Sequence, residues 1–166
     1  MSEEDIYNTI VNSKSFQKEK EFMQHGSTSV YDHSLYVTKT CFSLVKKLHL
    51  KVNKESLMKG ALLHDYFLYD WHEKDSSHRL HGFRHAKFAH DNALRDFGLN
   101  KKEKNMILAH MFPLGYRIPR YKESIILCLV DKYCATVETF SPIFKKNKDK
   151  NKERKWLQCI DIYYSS

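Results

Sequence analysis

The stretch ALLHDYFLYDWH, residues 61–72, sets a titratable pair, His64 and Asp65, at the end of an apolar run. An Asp in a buried run is costly unless it is paired or bound to a metal. Leu57, Ala61, His64 and Asp65 fall at i, i+4, i+7 and i+8, so a helical apolar face leads straight into the pair. Asn53 is placed to cap that helix. After Asp65 the period is lost, and residues 66–80, YFLYDWHEKDSSHRL, read as a polar loop.

Working outward, the same spacing recurs. From Ser34 to His49 the sequence is helical, with Val37, Cys41, Leu44 and Leu48 on one face. That face, carried back four residues from Val37, reaches His33 at a helix start. A helix is predicted from about Gly82 to Phe97, stopped by Gly98. Asn100 and Glu103 fit a capping box. Met106, Ile107 and His110 then share a face, and Pro113 ends that helix. Residues 122–140, KESIILCLVDKYCATVETF, read as a largely buried helix with Leu127, Cys128, Asp131, Cys134 and Ala135 on one face. Ser141 and Pro142 mark a break. Near the start, Ser2 to Asp5 cap a short helix bearing Ile6 and Ile10. A second helical piece is predicted over 16–24, FQKEKEFMQ, and 25–32, HGSTSVYD, reads as a loop. No strand period is found, so the expected fold is all-α, a single-domain helical bundle.

The totals agree with one domain. The chain has 166 residues, 42% of them hydrophobic, with only five Gly and three Pro. The opening MSEEDIYNTI is acidic and amphipathic rather than a signal peptide, and no apolar run approaches the roughly 20 residues of a membrane span. Cys41, Cys128, Cys134 and Cys159 have no CxxC spacing and read as free thiols, which points to the cytoplasm. The formal net charge of +8 favours small anionic partners. In the basic stretch 145–155, KKNKDKNKERK, the lysines alternate with Asp, Asn and Glu, which marks a solvated face and argues against nucleic acid. The apolar end, WLQCIDIYY, is suited to docking on the body. The chain carries no GxGxxG, P-loop, GxSxG or HExxH.

Ten histidines are present, and seven fall between His64 and His110. Periodicity places His33, His64, Asp65, His110 and Asp131 on inward faces of four helices or helix starts. One buried His is usually a hydrogen-bonded core residue. Several ionisable groups in one small core need mutual compensation, and a metal provides it. Imidazole and carboxylate ligands suit Fe, Mn, Co, Ni or Zn.

The order His33, His64-Asp65, His81, His110, Asp131 resembles the HD superfamily of metal-dependent phosphohydrolases, over roughly residues 25–138. The segments carrying the resemblance are YDHSLYV, ALLHD, HGFRHA, LAHMFPLG and ESIILCLVDK; residues 143–166 form a basic extension beyond it. The resemblance implies one or two divalent metal ions. His33, His64, Asp65 and Asp131 would hold the first, and Asp65 would bridge to a second held by His81 and His110. The five-segment pattern is similar to binuclear members, including dinucleoside tetraphosphate hydrolases. It implies in-line attack on phosphorus by metal-activated water, with Asp65 at the reacting centre and Lys132 or Arg84 as the cation that stabilises developing charge.

His81 and His85 compete for one ligand slot, being four apart. His81 is preferred because Ala86 then falls in register, which leaves His85 to contact substrate. His25, with Ser27 and Thr28, and Lys132 are further candidates for phosphate contact. Trp71 in the loop is a candidate to stack on a base or to anchor packing. No chemical role is assigned to His49, His72, His78 or His90. Two departures stand out. Leu68 occupies the position three after the HD aspartate where many relatives have Lys, and Met111 follows His110 where some have a second His. The expected function is hydrolysis of a nucleotide or related small phosphoester. The alternatives are a catalytically silent HD module that binds metal and a nucleotide for regulation, and a basic RNA-binding protein with structural histidines.

Overall fold

Capping side chains decide where most of the helices begin. A computed structural model of the chain describes residues 2–25, 28–68 and 81–144; the remaining residues, and the side chains of 25, 81–84 and 141–144, lie outside that description. Helix α1 (Glu3–Val11) starts from Ser2, which forms a capping box with Asp5, and it buries Ile6, Ile10 and Val11. Helix α2 (Lys14–Gln17) is capped by Ser13 and runs into a 3-10 turn over Lys18–Glu21.

The chain then departs from the single helical piece expected over 16–24. It becomes extended at Phe22 and forms strand β1 (Met23–His25), paired antiparallel with β2 (Thr28–Ser29). Strands this short carry too few alternating positions to show a period, so this part of the expected loop is a hairpin instead. Phe16, fully buried, is the apolar anchor of the segment, while 18–21 offer no apolar stripe to continue a helix.

Helix α3 (Val30–Lys47) begins four residues earlier than expected, because Ser29 accepts from the Asp32 amide. His33 therefore sits inside its first turn. The buried face runs through Val37, Cys41 and Val45, while Leu48 is exposed at the C-cap. Asn53 caps α4 (Lys54–Leu62) by accepting from Ser56 N at 2.7 Å. Helix α5 (His81–Phe97) ends at Gly98, whose φ of +62° is the left-handed conformation that glycine adopts without strain. Asn100 and Glu103 form the expected box on α6 (Lys101–Ala109). Helix α7 (Lys122–Phe144) continues through the break expected at Ser141 and Pro142. Pro142 falls in the last turn, where it forfeits a single backbone hydrogen bond.

Helix α4 packs against α1, α3, α6 and α7. Leu57, Ala61 and Leu62 meet Ile10, Val37, Met106, Ile107 and Leu127 in one contiguous core. Gly60 allows α4 and α6 their close approach, since a Cβ there would lie 2.5 Å from Met106 Cε and 3.2 Å from its Cβ. Buried Glu123 clasps three helix starts. It accepts from Asn53 N at 2.6 Å and from Lys102 Nζ at 2.8 Å, and these partners hold its carboxyl below its usual range despite burial. The fold is all-α, and the packing of α4 brings the ends of α4 and α6 together beside α3 and α7. Among the described residues, no helix is long and apolar enough to cross a membrane.

Candidate metal centre

Each side chain of the centre is delivered by a helix terminus or an inward helix face. His64 and Asp65 lie in the turn just past α4. His64 Nδ1 donates to the Ala61 carbonyl at 2.8 Å, which fixes the tautomer and aims Nε2 inward. His110 repeats this arrangement at the end of α6. Its Nδ1 donates to the Ile107 carbonyl at 2.6 Å, so each ring is locked by the carbonyl three residues before it. His33 donates from Nδ1 to Glu138 Oε2 at 2.7 Å, and its Nε2 stands 3.1 Å from Asp131 Oδ1. His85 comes from α5 and places Nε2 2.8 Å from His110 Nε2.

Asp65 stands at the middle, 1% exposed. Its Oδ2 faces His64 Nε2 at 3.3 Å and His33 Nε2 at 3.7 Å. Its Oδ1 faces His110 Nε2 at 3.3 Å and His85 Nε2 at 3.4 Å. Two groups of side chains result: His33, His64, Asp65 and Asp131, and Asp65, His85 and His110, each with ligand atoms within 4.8 Å of one another. His64 Nε2 and Asp65 Oδ1 are buried without a well-formed hydrogen bond among the described residues. Unpaired nitrogen and oxygen atoms converging in a closed pocket are what a divalent ion satisfies, so the donor set fits a metal.

The electrostatics of the metal-free site are those of an imidazolium–carboxylate lattice. Burial opposes charge on His33, yet its bonds to Asp131 and Glu138 win and raise it to about 9. His64 is likewise raised against burial, chiefly by Asp65. Burial would lift Asp65 and Asp131, but the surrounding imidazoles hold both far below the usual carboxylate range. Metal uptake must displace the protons on His33 and His64. Apparent metal affinity is therefore expected to climb as pH rises toward about 9, by up to about tenfold per unit for each proton released. Chelator competition across pH measures this, and a flat profile would show that these imidazoles are already neutral.

The structure brings together His33, His64, Asp65, His110 and Asp131, as their spacing predicts, and adds His85 to them. The side chains of His81, Arg84 and His25, and Trp71 with its loop, lie outside the described residues. Lys132 is turned to the backbone: its ammonium donates to the His110 carbonyl at 2.7 Å and lies 3.2 Å from Cys128 Sγ. Leu68 has a left-handed backbone with φ of +56°.

Three polar residues were missed in the sequence. Glu138 orients His33, and its place seven residues after Asp131, two turns along one helix face, is the signal that would have found it. Gln24 donates from Nε2 to Asp65 Oδ2. Glu19 is fully buried, and neither carboxyl oxygen has a partner among the described residues. Burial and the nearby charge of Asp65 push its carboxyl well above the usual range. Glu19 and Gln24 lie in the stretch 16–24, expected as one helical piece, where no spacing marks either polar residue as buried.

A family model described as the HD domain matches residues 30–136, well over half of the chain. No curated protein and no solved structure matches. With the matched span containing His33, His64-Asp65, His110 and Asp131 in one pocket, the chain belongs to the HD-domain family, whose members are generally metal-dependent phosphohydrolases.

Proposed function

We propose that this chain hydrolyses a nucleotide or related small phosphoester at a two-metal centre. The observation that carries this reading is Asp65, each of whose oxygens faces a different pair of imidazoles. His33, His64, Asp65 and Asp131 would hold one ion, and Asp65, His85 and His110 the other; His81, one turn before His85 on α5, would be the competing ligand for that second position. Divalent ions held here supply Lewis-acid polarisation of a phosphoryl oxygen and acidify a bound water. The protein's part is to orient the ligands. The carbonyls of Ala61 and Ile107 lock two rings, Glu138 locks a third, and Lys132 tethers the backbone of His110. The net charge of +8 suits an anionic substrate, and Arg84 is the candidate cation to meet its phosphate.

A second reading has its own support. Leu68 replaces a cation common in relatives, and Lys132 is engaged with backbone oxygens. Both favour a module that retains metal and binds a nucleotide without turning it over. Metal analysis of the purified chain, followed by assay of the Mn- and Fe-loaded protein on phosphomonoesters, phosphodiesters and dinucleoside polyphosphates, separates the two. Turnover abolished by His64→Ala supports hydrolysis. Metal bound with no turnover on any member of the panel supports the silent module. No metal bound under any loading condition would defeat both.

A further inference from the structure

The second ion position depends on how the Asp65 carboxylate is turned. Its terminal torsion joins sp³ and sp² carbons and is intrinsically broad. A rotation about that bond swings Oδ1 away from His85 and His110 and Oδ2 away from His33 and His64; the group with two other ligands, His85 and His110, loses more by this than the group with three. The imidazole nitrogens around the carboxylate stand at 3.3 to 3.7 Å, longer than a well-formed hydrogen bond. One contact is much closer. Gln24 Nε2 donates to Asp65 Oδ2 at 2.5 Å, and both residues are buried. The amide orientation follows from chemistry, because the flipped amide would set its carbonyl oxygen against a carboxylate. An ionised carboxylate oxygen has two lone pairs, so Oδ2 accepts from Gln24 and still has one free for an ion.

The neighbours of Gln24 are held in place. It sits at the irregularity of β1 between Met23, opposite Ser29, and His25, opposite Thr28, and Val30 N donates to Phe22 O at 2.8 Å where the chain enters α3. Strand β1 packs against both α3 and α7. The segment lies before the family-matched span of 30–136, so the contact is supplied by this chain's own N-terminal region.

We propose that Gln24 is the positioning residue that keeps Asp65 in its bridging orientation, so that the strand pair β1 (Met23–His25) and β2 (Thr28–Ser29) determines whether the second metal position is competent. This rests on the two-metal reading above. Gln24 touches no reacting atom; it acts through Asp65. Its loss leaves Asp65 in place but less well aimed, which the first position, with three further ligands, should tolerate better than the second, with two.

The test uses the full chain and Mn(II) alone. Metal-free wild type, Gln24→Met and Gln24→Glu are titrated with Mn(II) and followed by electron paramagnetic resonance, which reports free ion and exchange coupling between paired ions. Gln24→Met keeps the side-chain length and removes the donor; Gln24→Glu keeps the shape and replaces the donor with an acceptor. Wild type is expected to take two ions with a coupled spectrum. Both variants are expected to hold the first ion within a few fold of wild type, to bind the second about 10- to 100-fold more weakly, and to lose the coupled signal. Circular dichroism melts of the metal-free proteins establish that each is folded, and either variant alone suffices. Equal weakening of both ions, or an unchanged coupled spectrum, would overturn the role of Gln24. A single ion in wild type at saturation would overturn the two-metal reading itself, a failure visible before any variant is compared.

Discussion

Replacing Asp65 with Asn is expected to strip both metal positions at once. The substitution preserves shape and turns one oxygen into a donor that no metal accepts. Because the two oxygens of Asp65 face different imidazole pairs, neither orientation of the new amide serves both groups. Loss of an outer partner of a ligand costs about 10- to 100-fold in metal affinity. Loss of a shared ligand should exceed ~100-fold at each position, and hydrolysis should fall with it. His110→Ala and Asp131→Asn are the contrast, since each belongs to one group only and should empty one position while sparing the other. Metal content after dialysis, with Mn(II) titration of each variant, reads the difference. An Asp65→Asn protein that keeps two ions would sink the bridging assignment.

Glu19→Gln is expected to stabilise the metal-free protein. The wild-type carboxyl is fully buried, without a hydrogen bond among the described residues, and is pushed toward its neutral form by burial and by Asp65. Its folded pKa lies above its unfolded value, so between the two the folded state carries a proton that the unfolded state has lost. Stability therefore falls as pH rises from about 4.5 toward the folded pKa, by about 1.4 kcal/mol per unit while the proton is retained. Glutamine has the same shape and no proton to hold. The variant should exceed wild type in stability at pH 7, with the gap closing toward pH 4.5. Urea unfolding in chelator at several pH values measures it. Parallel curves for the two proteins would mean that Glu19 is charged in the fold and has found a cation.

The helices and most of the centre were legible because long amphipathic helices repeat their signal. Leu57 and Ala61 point to His64, Val37 points to His33, and the face of α7 carries Asp131 inward with Leu127 and Cys134. Caps were equally plain where a side chain such as Asn53 or Asn100 is the physical cause of the start. Ser29 was overlooked because its hydroxyl sits in a stretch that also reads as a turn. His81 and His85 were indistinguishable by spacing, since residues four apart share a helix face. Gln24 and Glu19 were out of reach for a different reason. Their burial depends on how α2, the 3-10 turn and the short strands β1 and β2 fold over α3, and none of these is long enough to write a period into the sequence.

The centre draws on α3, the end of α4, α5, the end of α6, and α7, and His33 meets Asp131 across 98 positions of the chain. An unfolded chain presents no such assembled donor set, so ions would bind the native state in preference. Occupancy then adds to global stability by mass action, about 2.7 kcal/mol at a hundredfold excess over the dissociation constant. The helices lack a shared covalent cross-link, the described cysteines being free. Bound metal would take that place in part: an ion held by these side chains would act as a reversible rivet through the bundle, adding to the stability of a fold that the apolar core already supports.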